Sequence, residues 1–148
     1  MIVKDIDDER LYFATPSDSR KGRESTANPN VSAHFHWPAV GRQVRIVGTA
    51  TGLGHAASEA DFAERGRGPR LAAHLHRPGS PADRAGALAE SERPGTVHAG
   101  GVPCPPSWTL YAVTPTEVEF WEASADRVHH RVAYRAEGTV WRHELLWP

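Results

Sequence analysis

Six consecutive residues near the start of the chain carry side chains suited to binding a phosphate: Ser19-Arg20-Lys21-Gly22-Arg23-Glu24. They follow an apolar run, residues 11–15, and a Pro-Ser-Asp turn, an order that predicts a strand, a turn and a helix start. Ser19 is a good helix-capping residue, and the free N–H groups of a helix start favour an anion. Arg20 and Lys21 add full positive charges. The alternative is a basic, solvated helix start with no ligand.

A second basic group lies near the other end of the chain, in Arg127-Val128-His129-His130-Arg131. In an extended strand Arg127, His129 and Arg131 would share one face, because strand side chains alternate. Two guanidinium groups and an imidazole on one face repel each other unless an anion lies opposite. The pattern therefore favours a phosphorylated or electron-rich ligand. The alternative is a solvated basic strand edge, which also guards against edge pairing.

Three single residues also have types suited to binding a ligand. Gln43 lies on the opposite strand face from Val44 and Ile46, Arg65 is near the end of a predicted helix, and Trp121 closes a predicted strand. A metal site is not favoured. His34 and His36, like His74 and His76, are two residues apart, but no Cys cluster or well-spaced carboxylate completes a ligand set. No nucleophile elbow indicates a Ser–His–acid triad.

Composition bounds the class of protein. The length of 148 residues predicts a single domain, residues 1–148. The net charge of −1 predicts no general attraction to nucleic acid. Cys104 is the one cysteine, so no intrachain disulfide can form. No apolar run reaches about 18 residues, and the first residues lack the apolar core of a signal peptide. We expect a cytoplasmic protein with no membrane partner.

The hydrophobic pattern predicts about seven short strands and two or three helices, hence an antiparallel barrel or an α+β fold. We expect a polar turn at residues 5–10, and a helix that Ser58 opens and that Gly66, Gly68 and Pro69 end. Residues 71–75 continue as another helical turn, and residues 77–101 are expected to be flexible apart from one weak helix at 81–92. Residues 1–3 form an apolar stub that resembles the end of a strand. The predicted strands lie at residues 11–15, 31–37, 42–50, 108–113, 117–121, 132–135 and 140–146, and the first helix at 19–27.

Several of these segments, taken in order, resemble the FMN-dependent pyridoxine/pyridoxamine 5′-phosphate oxidase family. The resemblance extends to the C-terminal Trp141-Arg142 and Leu146-Trp147-Pro148 and covers nearly the whole chain. The segments are Phe13-Ala14-Thr15, residues 19–24, Asn28-Pro29, Phe35-His36-Trp37, residues 42–48, Glu119-Phe120-Trp121 and residues 127–131.

The resemblance implies a mainly β, antiparallel, FMN-binding split barrel with short helices. It also implies a homodimer with two FMN sites at the subunit interface. In such enzymes a hydride passes from the substrate carbon bearing the amine or alcohol to FMN, and molecular oxygen reoxidises the flavin to give hydrogen peroxide.

Roles carried over by position divide the residues into three groups. Arg20 and Lys21 would hold the FMN phosphate, with Thr15 and Ser19 nearby. Gln43 would hydrogen-bond the isoalloxazine, which Trp121 and Arg131 would reach from the partner subunit. Lys4 and Arg65 would meet the substrate phosphate, and Arg127 and His129, the expected catalytic residues, would face the substrate ring.

Departures from the family pattern are also informative. The family has several dozen residues before the point where this chain starts, so the leading barrel strand is expected to be largely missing. Ala14 stands where the family has a flavin-contacting Tyr, and Pro78-Gly79 where it has a Gln-Ser pair on the FMN phosphate. Asp61 and Pro69 replace a Tyr and a Ser that bind the substrate phosphate.

Three functions therefore stay open. The first is oxidation of pyridoxine or pyridoxamine 5′-phosphate to pyridoxal 5′-phosphate. The second is a flavin oxidase acting on another ring substrate of secondary metabolism, of the phenazine type. The third is a non-catalytic split barrel, with or without flavin.

Overall fold

The computed structural model describes residues 2–75, 83–91 and 101–148. Within these residues, seven strands form one antiparallel sheet, and four short helices lie in the connections. The strands are β1 (Val3–Ile6), β2 (Leu11–Pro16), β3 (Asn30–Trp37), β4 (Arg42–Gly52), β5 (Trp108–Glu122), β6 (His130–Glu137) and β7 (Val140–Leu145). The helices are α1 (Arg20–Ala27), α2 (His55–Ala63), α3 (Arg67–Ala73) and α4 (Arg84–Ser91).

The sheet is organised around β5, its longest strand. The strand order is β1-β2-β5-β4-β3, and β6 and β7 extend it from β5. The first half of β5 pairs with β2, its second half pairs with β6, and β4 runs along its other side. The predicted mainly β, antiparallel architecture with short helices is confirmed.

The sequence predicted two strands in place of β5, because Thr114-Pro115-Thr116 interrupts the pattern. The structure keeps one strand and absorbs the interruption in a β-bulge. Val47 pairs with Glu117 and Gly48 pairs with Pro115, which leaves Thr116 as the extra residue. A bulge is one of the few places in a sheet where Pro, which has no N–H, is tolerated.

Gly48 makes this bulge possible. A Cβ on Gly48 would collide with the backbone carbonyl oxygen of Thr114 and lie 2.9 Å from Pro115 Cα. Both are backbone atoms of β5, so no side-chain rotation could relieve the contact.

Two apolar clusters stabilise the fold. The first joins β2, β4 and β5 and includes Phe13 and Tyr111, whose rings stack with centroids 5.2 Å apart. The second lies under α2 and α3 and contains Phe62, Leu71 and Trp108 together with Val102. Fully burying one such large side chain contributes roughly 1.5–3 kcal/mol, so these clusters fix the first half of β5 against β2, β4 and the helices.

Two helical predictions are wrong in detail. Ser58 does not open α2 but lies inside it, where its hydroxyl donates to Gly54 O (2.6 Å) and accepts from the Leu110 N–H (3.0 Å). Gly68 and Pro69 do not break a helix but lie in the first turn of α3. The first turn tolerates Pro because its N–H groups have no intrahelical acceptor.

The first strand differs from its predicted bounds. The sequence predicted a strand end at residues 1–3 and a polar turn at residues 5–10, whereas β1 runs from Val3 to Ile6. The helix predicted at residues 81–92 is present as α4, and the rest of the predicted flexible segment, including Pro78-Gly79, lies outside the described residues apart from Asp83 and Gly101. No helix in the described ranges is long and apolar enough to cross a membrane.

Candidate functional site

The start of α1 has the features of a phosphate site. Ser19 is the N-cap, and its hydroxyl accepts from the Gly22 N–H (3.1 Å) and lies 3.2 Å from the Thr15 hydroxyl. The first turn contains no acidic residue. Local sequence fixes this helix, because the Ser cap starts it and Pro29 disfavours helix at Asn28.

The two cations at this helix start are exposed. Arg20 Nε donates to Glu24 Oε1 (2.7 Å), and the Arg20 side chain is 86% exposed. Lys21 makes no hydrogen bond or ion pair with the described residues. Exposed ion pairs of the Arg20–Glu24 type are worth only about 0.3–0.5 kcal/mol, so both cations are available to an anion. The residues present therefore fit the phosphate of a mononucleotide.

A second group of predicted residues forms a row across three strands. Gln43 of β4 lies directly opposite Trp121 of β5, which lies directly opposite Arg131 of β6. Directly paired residues project from the same sheet face. The row borders an open cleft of about 300 Å³, lined by His34, Gln43, Arg45, Glu119, Trp121, Arg131 and Pro148.

The cleft offers an indole, an amide and a guanidinium. Gln43 Oε1 lies 3.0 Å from His34 Nε2, and the Gln43 amide nitrogen has no partner among the described residues. A flat, hydrogen-bonding ring system such as isoalloxazine is suited to these groups. Sequence reasoning missed His34 as the neighbour of Gln43, because His34 pairs directly with Arg45 and reaches Gln43 diagonally across β3 and β4.

Glu119, which the sequence did not single out as a site residue, holds Arg131 in place. The carboxylate accepts from Arg131 Nε (2.8 Å) and Nη2 (2.6 Å), and from Arg45 Nη2 (2.9 Å). Arg131 Nη1 also donates to the Trp147 carbonyl oxygen (2.9 Å). Partial burial acts to raise the pKa of Glu119, but the hydrogen bonds from Arg45 and Arg131 outweigh it and lower that pKa below its usual value.

We expect Glu119→Gln to lower the free energy of unfolding at pH 7 by about 1–3 kcal/mol, since it removes charge-assisted hydrogen bonds. A carboxylate with a lowered folded-state pKa contributes stability that is present above its unfolded pKa and is lost as the pH falls through its folded pKa. The wild-type advantage over Glu119→Gln should therefore shrink below about pH 4.3. Urea unfolding at several pH values measures this difference.

Glu122→Gln is the matched control, because Glu122 pairs with Arg42 while both side chains are about half exposed. That variant should change stability by less than about 1 kcal/mol. Equal losses for the two variants at pH 7 would contradict the structural role of Glu119.

The sequence predicted that Arg127, His129 and Arg131 share one face of a strand. Arg131 lies on β6 as predicted, but the prediction is wrong for Arg127. Arg127 has a φ of 68° and lies in a turn before β6 begins at His130. Asp126 Oδ1 accepts from the Val128 N–H (2.9 Å) and the Ser124 hydroxyl (2.6 Å). Such short-range Asp hydrogen bonds stabilise turns over extended structure.

His129 nevertheless reaches the row across the strands. Its ring centroid lies 4.8 Å from that of Trp121, at an interplanar angle of 49°. Its Nδ1 accepts from the Ser124 N–H (3.1 Å). The neutral ring therefore carries its hydrogen on Nε2, which leaves that N–H to donate to a ligand.

A third polar cluster contains the two residues expected to meet a substrate phosphate. Lys4 Nζ lies 2.9 Å from Asp61 Oδ1, and Trp108 Nε1 donates to Asp61 Oδ2 (2.8 Å). The Arg65 guanidinium carbon lies 4.2 Å from the Trp108 ring centroid, and Arg65 Nη2 donates to Pro69 O (3.0 Å). The structure thus links Lys4 and Arg65 through Asp61 and Trp108.

The predicted residues fall at two ends of β5. Thr15 and Pro16 pair with Thr109 and Trp108, so the helix start and the Lys4 cluster lie at one end. Trp121, with Gln43, Arg131 and His129, lies at the other. Trp121 lies thirteen positions after Trp108, about 40 Å along an extended strand. No hydrogen bond, ion pair or ring contact joins the two groups within the described chain.

The histidines do not assemble into a metal site in the described part. No three His, Cys, Asp or Glu residues there are grouped as metal ligands. His74 Nε2 lies 2.8 Å from the Pro103 carbonyl oxygen, and His76 lies outside the described residues.

Sequence comparisons match two family profiles. Residues 1–122 match the pyridoxamine 5′-phosphate oxidase family, and residues 108–148 match the C-terminal dimerisation region of pyridoxine 5′-phosphate oxidase. The pyridoxine/pyridoxamine 5′-phosphate oxidase of Rubrobacter xylanophilus is 39% identical, over the whole of this chain and 69% of its own length. The corresponding protein of Anaeromyxobacter dehalogenans is 38% identical, over the whole chain and 76% of its own length.

Solved structures give the same fold. PhzG from Burkholderia lata, in complex with tetrahydrophenazine-1-carboxylic acid, superposes with a TM-score of 0.88 at 32% identity, over 99% of this chain and 72% of that one. A pyridoxamine 5′-phosphate oxidase-related, FMN-binding protein of Nostoc punctiforme superposes with a TM-score of 0.78 at 21% identity, over 98% and 77%. These superpositions confirm the split-barrel fold.

Proposed function

This chain belongs to the pyridoxine/pyridoxamine 5′-phosphate oxidase family, and from that premise we propose that it is an FMN-dependent oxidase of a ring substrate, with oxygen as the electron acceptor. The observation that carries the proposal is the row of Gln43, Trp121 and Arg131, with His129 against Trp121, beside an open cleft. This row puts an aromatic face, an amide and a guanidinium beside the cleft, and the His129 ring lies against Trp121.

The residues of the chain divide the work of holding the cofactor. Arg20 and Lys21 bind the FMN phosphate at the start of α1, where Thr15 and Ser19 supply hydroxyl groups. Gln43 hydrogen-bonds the edge of the flavin ring, and Trp121 and Arg131 contact the ring. FMN, when bound, accepts a hydride from the substrate and passes the electrons to oxygen.

We propose that each site is built by two chains. The phosphate residues and the ring residues lie at opposite ends of β5, about 40 Å apart along the strand, which is longer than a flavin mononucleotide. The match of residues 108–148 to a dimerisation region supports a homodimer. In that dimer, α1 of one chain would bind the phosphate while Trp121 and Arg131 of the partner subunit contact the flavin.

His129 and Arg127 are the proposed substrate-contacting residues. The His129 Nε2–H can donate to an oxygen or nitrogen on the substrate, because Nδ1 is held by the Ser124 N–H. Arg127 lies in the turn before β6 and is exposed, so its guanidinium can approach the substrate ring. Both residues orient the substrate and stabilise charge that develops on it.

Two substrates are candidates within this activity. The names of the curated relatives support pyridoxine or pyridoxamine 5′-phosphate, oxidised to pyridoxal 5′-phosphate. The PhzG superposition supports a phenazine-type ring compound. The non-catalytic alternative predicts that neither compound reduces a bound flavin.

An absorption spectrum after addition of FMN and desalting tests the proposal. Retained flavin bands are expected, followed by their bleaching without oxygen when a substrate is added. Pyridoxamine 5′-phosphate and a reduced phenazine carboxylate are the two compounds to compare. A colourless protein would overturn the flavin function, and a flavin that neither compound bleaches would favour the non-catalytic alternative.

Arg127→Ala should reduce kcat/KM by about 10- to 100-fold and leave the FMN content unchanged, because a charge-assisted hydrogen bond contributes about 1.5–3 kcal/mol. Steady-state oxygen consumption and the flavin absorbance per chain measure the two quantities. Arg142→Ala is the control, since Arg142 lies on β7 and pairs with Glu137. An Arg127→Ala variant with wild-type turnover would remove Arg127 from the site.

A further inference from the structure

Asp61 occupies the end of the site where the family pattern places a substrate phosphate. Its side chain is 6% exposed, and both carboxylate oxygens are used, one by Lys4 Nζ and one by Trp108 Nε1. Lys4, whose side chain is 25% exposed, is thereby already neutralised by a group of the protein itself.

A substrate phosphate would have to share Lys4 with Asp61, since an ammonium group has three N–H donors, or take Lys4 by breaking the pair. Breaking the pair would leave Asp61 as a buried carboxylate with its lysine partner gone, which is strongly unfavourable. The phosphate would also bring two negative charges close to the carboxylate. The pair therefore opposes a phosphate in two ways, through desolvation and through repulsion.

Other nearby groups strengthen this opposition. Glu59, two residues before Asp61 on α2, adds a second negative charge that is more exposed to solvent. Burial raises the pKa of the Cys104 thiol, and the charges of Glu59 and Asp61 raise it further. Arg65 is the remaining cation of the cluster, and it is engaged by the Trp108 ring and the Pro69 carbonyl.

We propose that the Lys4–Asp61 pair selects a ring substrate that carries no phosphate group. The Asp61 carboxylate supplies a fixed negative charge where the phosphate of a substrate would lie. Arg65 can donate hydrogen bonds to a substrate group that carries at most one negative charge. This inference rests on the proposed oxidase function, whose substrate class it specifies. Asp61 is a specificity residue, which acts through Lys4.

A matched pair of ligands tests the inference without turnover: 4-deoxypyridoxine and its 5′-phosphate, which lack the oxidisable group. Calorimetry on the FMN-loaded protein gives both dissociation constants. For the wild type, the phosphate should improve binding by less than about threefold. In Asp61→Asn, which frees Lys4 and keeps an acceptor for Trp108, the phosphorylated ligand should gain about tenfold or more, the effect of one charge-assisted hydrogen bond.

Two further variants separate the possible causes. Glu59→Gln removes one negative charge from the same helix without touching Lys4, and should shift the preference by less than about threefold. Adding Lys4→Gln to Asp61→Asn should abolish the gain seen in Asp61→Asn alone, because no freed lysine then remains to bind the phosphate. The wild-type titration keeps the inference testable if Asp61→Asn fails to fold.

The inference is overturned if the wild type binds the phosphorylated ligand about tenfold more tightly than its partner. It is also overturned if Asp61→Asn folds and shows no gain, or if that gain persists when Lys4→Gln is added to Asp61→Asn. Running the same titrations on flavin-free protein keeps this result separate from the oxidase proposal. A protein that never retains FMN contradicts the oxidase, whereas a holoprotein that prefers the phosphate contradicts only the inference.

Discussion

Lys21→Ala is expected to weaken FMN binding by about 10- to 100-fold. The lysine lies in the first turn of α1, and it forms no ion pair with the described residues that would compete with an anion. Losing one charge-assisted contact to phosphate costs about 1.5–3 kcal/mol, which corresponds to that range of affinities. Titration of FMN fluorescence with protein measures the dissociation constant.

Arg23→Ala is the matched control for this variant. Arg23 belongs to the same short helix and is also exposed, but its guanidinium donates to the Asp18 carbonyl oxygen. It should change FMN affinity by less than about threefold, and the Lys21 effect should shrink at high ionic strength because salt screens exposed charges. Equal effects of the two substitutions would show that only the overall charge matters and that α1 has no specific phosphate site.

Gly48→Ala is expected to destabilise the fold by about 3 kcal/mol, at the upper end of the cost of overpacking. The added methyl group would meet the Thr114 carbonyl oxygen and Pro115 Cα, both on the backbone of β5. Either the bulge must move or β4 and β5 must separate locally. Urea unfolding followed by tryptophan fluorescence measures the change.

Gly66→Ala provides the comparison. Outside its chain neighbours, the nearest atom to the position that its Cβ would take is Pro69 Cδ at 3.9 Å, an ordinary contact distance. Gly66 is the N-cap of α3, where Ala is a poorer residue than Gly, so this variant should lose about 1 kcal/mol or less. If Gly48→Ala were as stable as Gly66→Ala, the close approach of β4 to β5 would not be a constraint on the sequence.

The elements predicted well from the sequence are those with local causes. The alternation of apolar and polar residues placed β3 and β4 within two residues of their observed bounds. The Ser19 cap and Pro29 fixed both ends of α1. Glu137-Gly138 is a dipeptide typical of a hairpin turn, and Gly138, with a φ of 65°, turns the chain between β6 and β7.

The failures have causes that a local pattern does not contain. β5 stays continuous through Pro115 only because Gly48 on another strand allows a bulge. Ser58 is a helix-capping residue by type. Its hydroxyl is instead buried inside α2, where it bonds Gly54 and also Leu110, which lies 52 residues further along the chain. The turn at Asp126 overrode the alternation that put Arg127 on a strand face.

At the candidate site, the sequence predicted which residues could bind a ligand but not which of them lie close together. Only the strand register shows that Gln43 and Arg131 flank Trp121, far along β5 from α1. Nothing in the spacing of Lys4 and Asp61, 57 residues apart, indicates their ion pair. The roles assigned to these residues stay predictions, and the experiments above address them.

The length of β5 has a consequence for complementation between mutant alleles. If one chain supplies the phosphate contacts of a flavin site and its partner supplies the ring contacts, each chain takes part in two sites through different residues. A substitution at Lys21 in one allele then damages the phosphate contacts of a flavin site, and a substitution at Trp121 in the other allele damages the ring contacts. A mixed dimer of the two products keeps one site in which both halves are intact, so two defective alleles together can retain a function that neither provides alone.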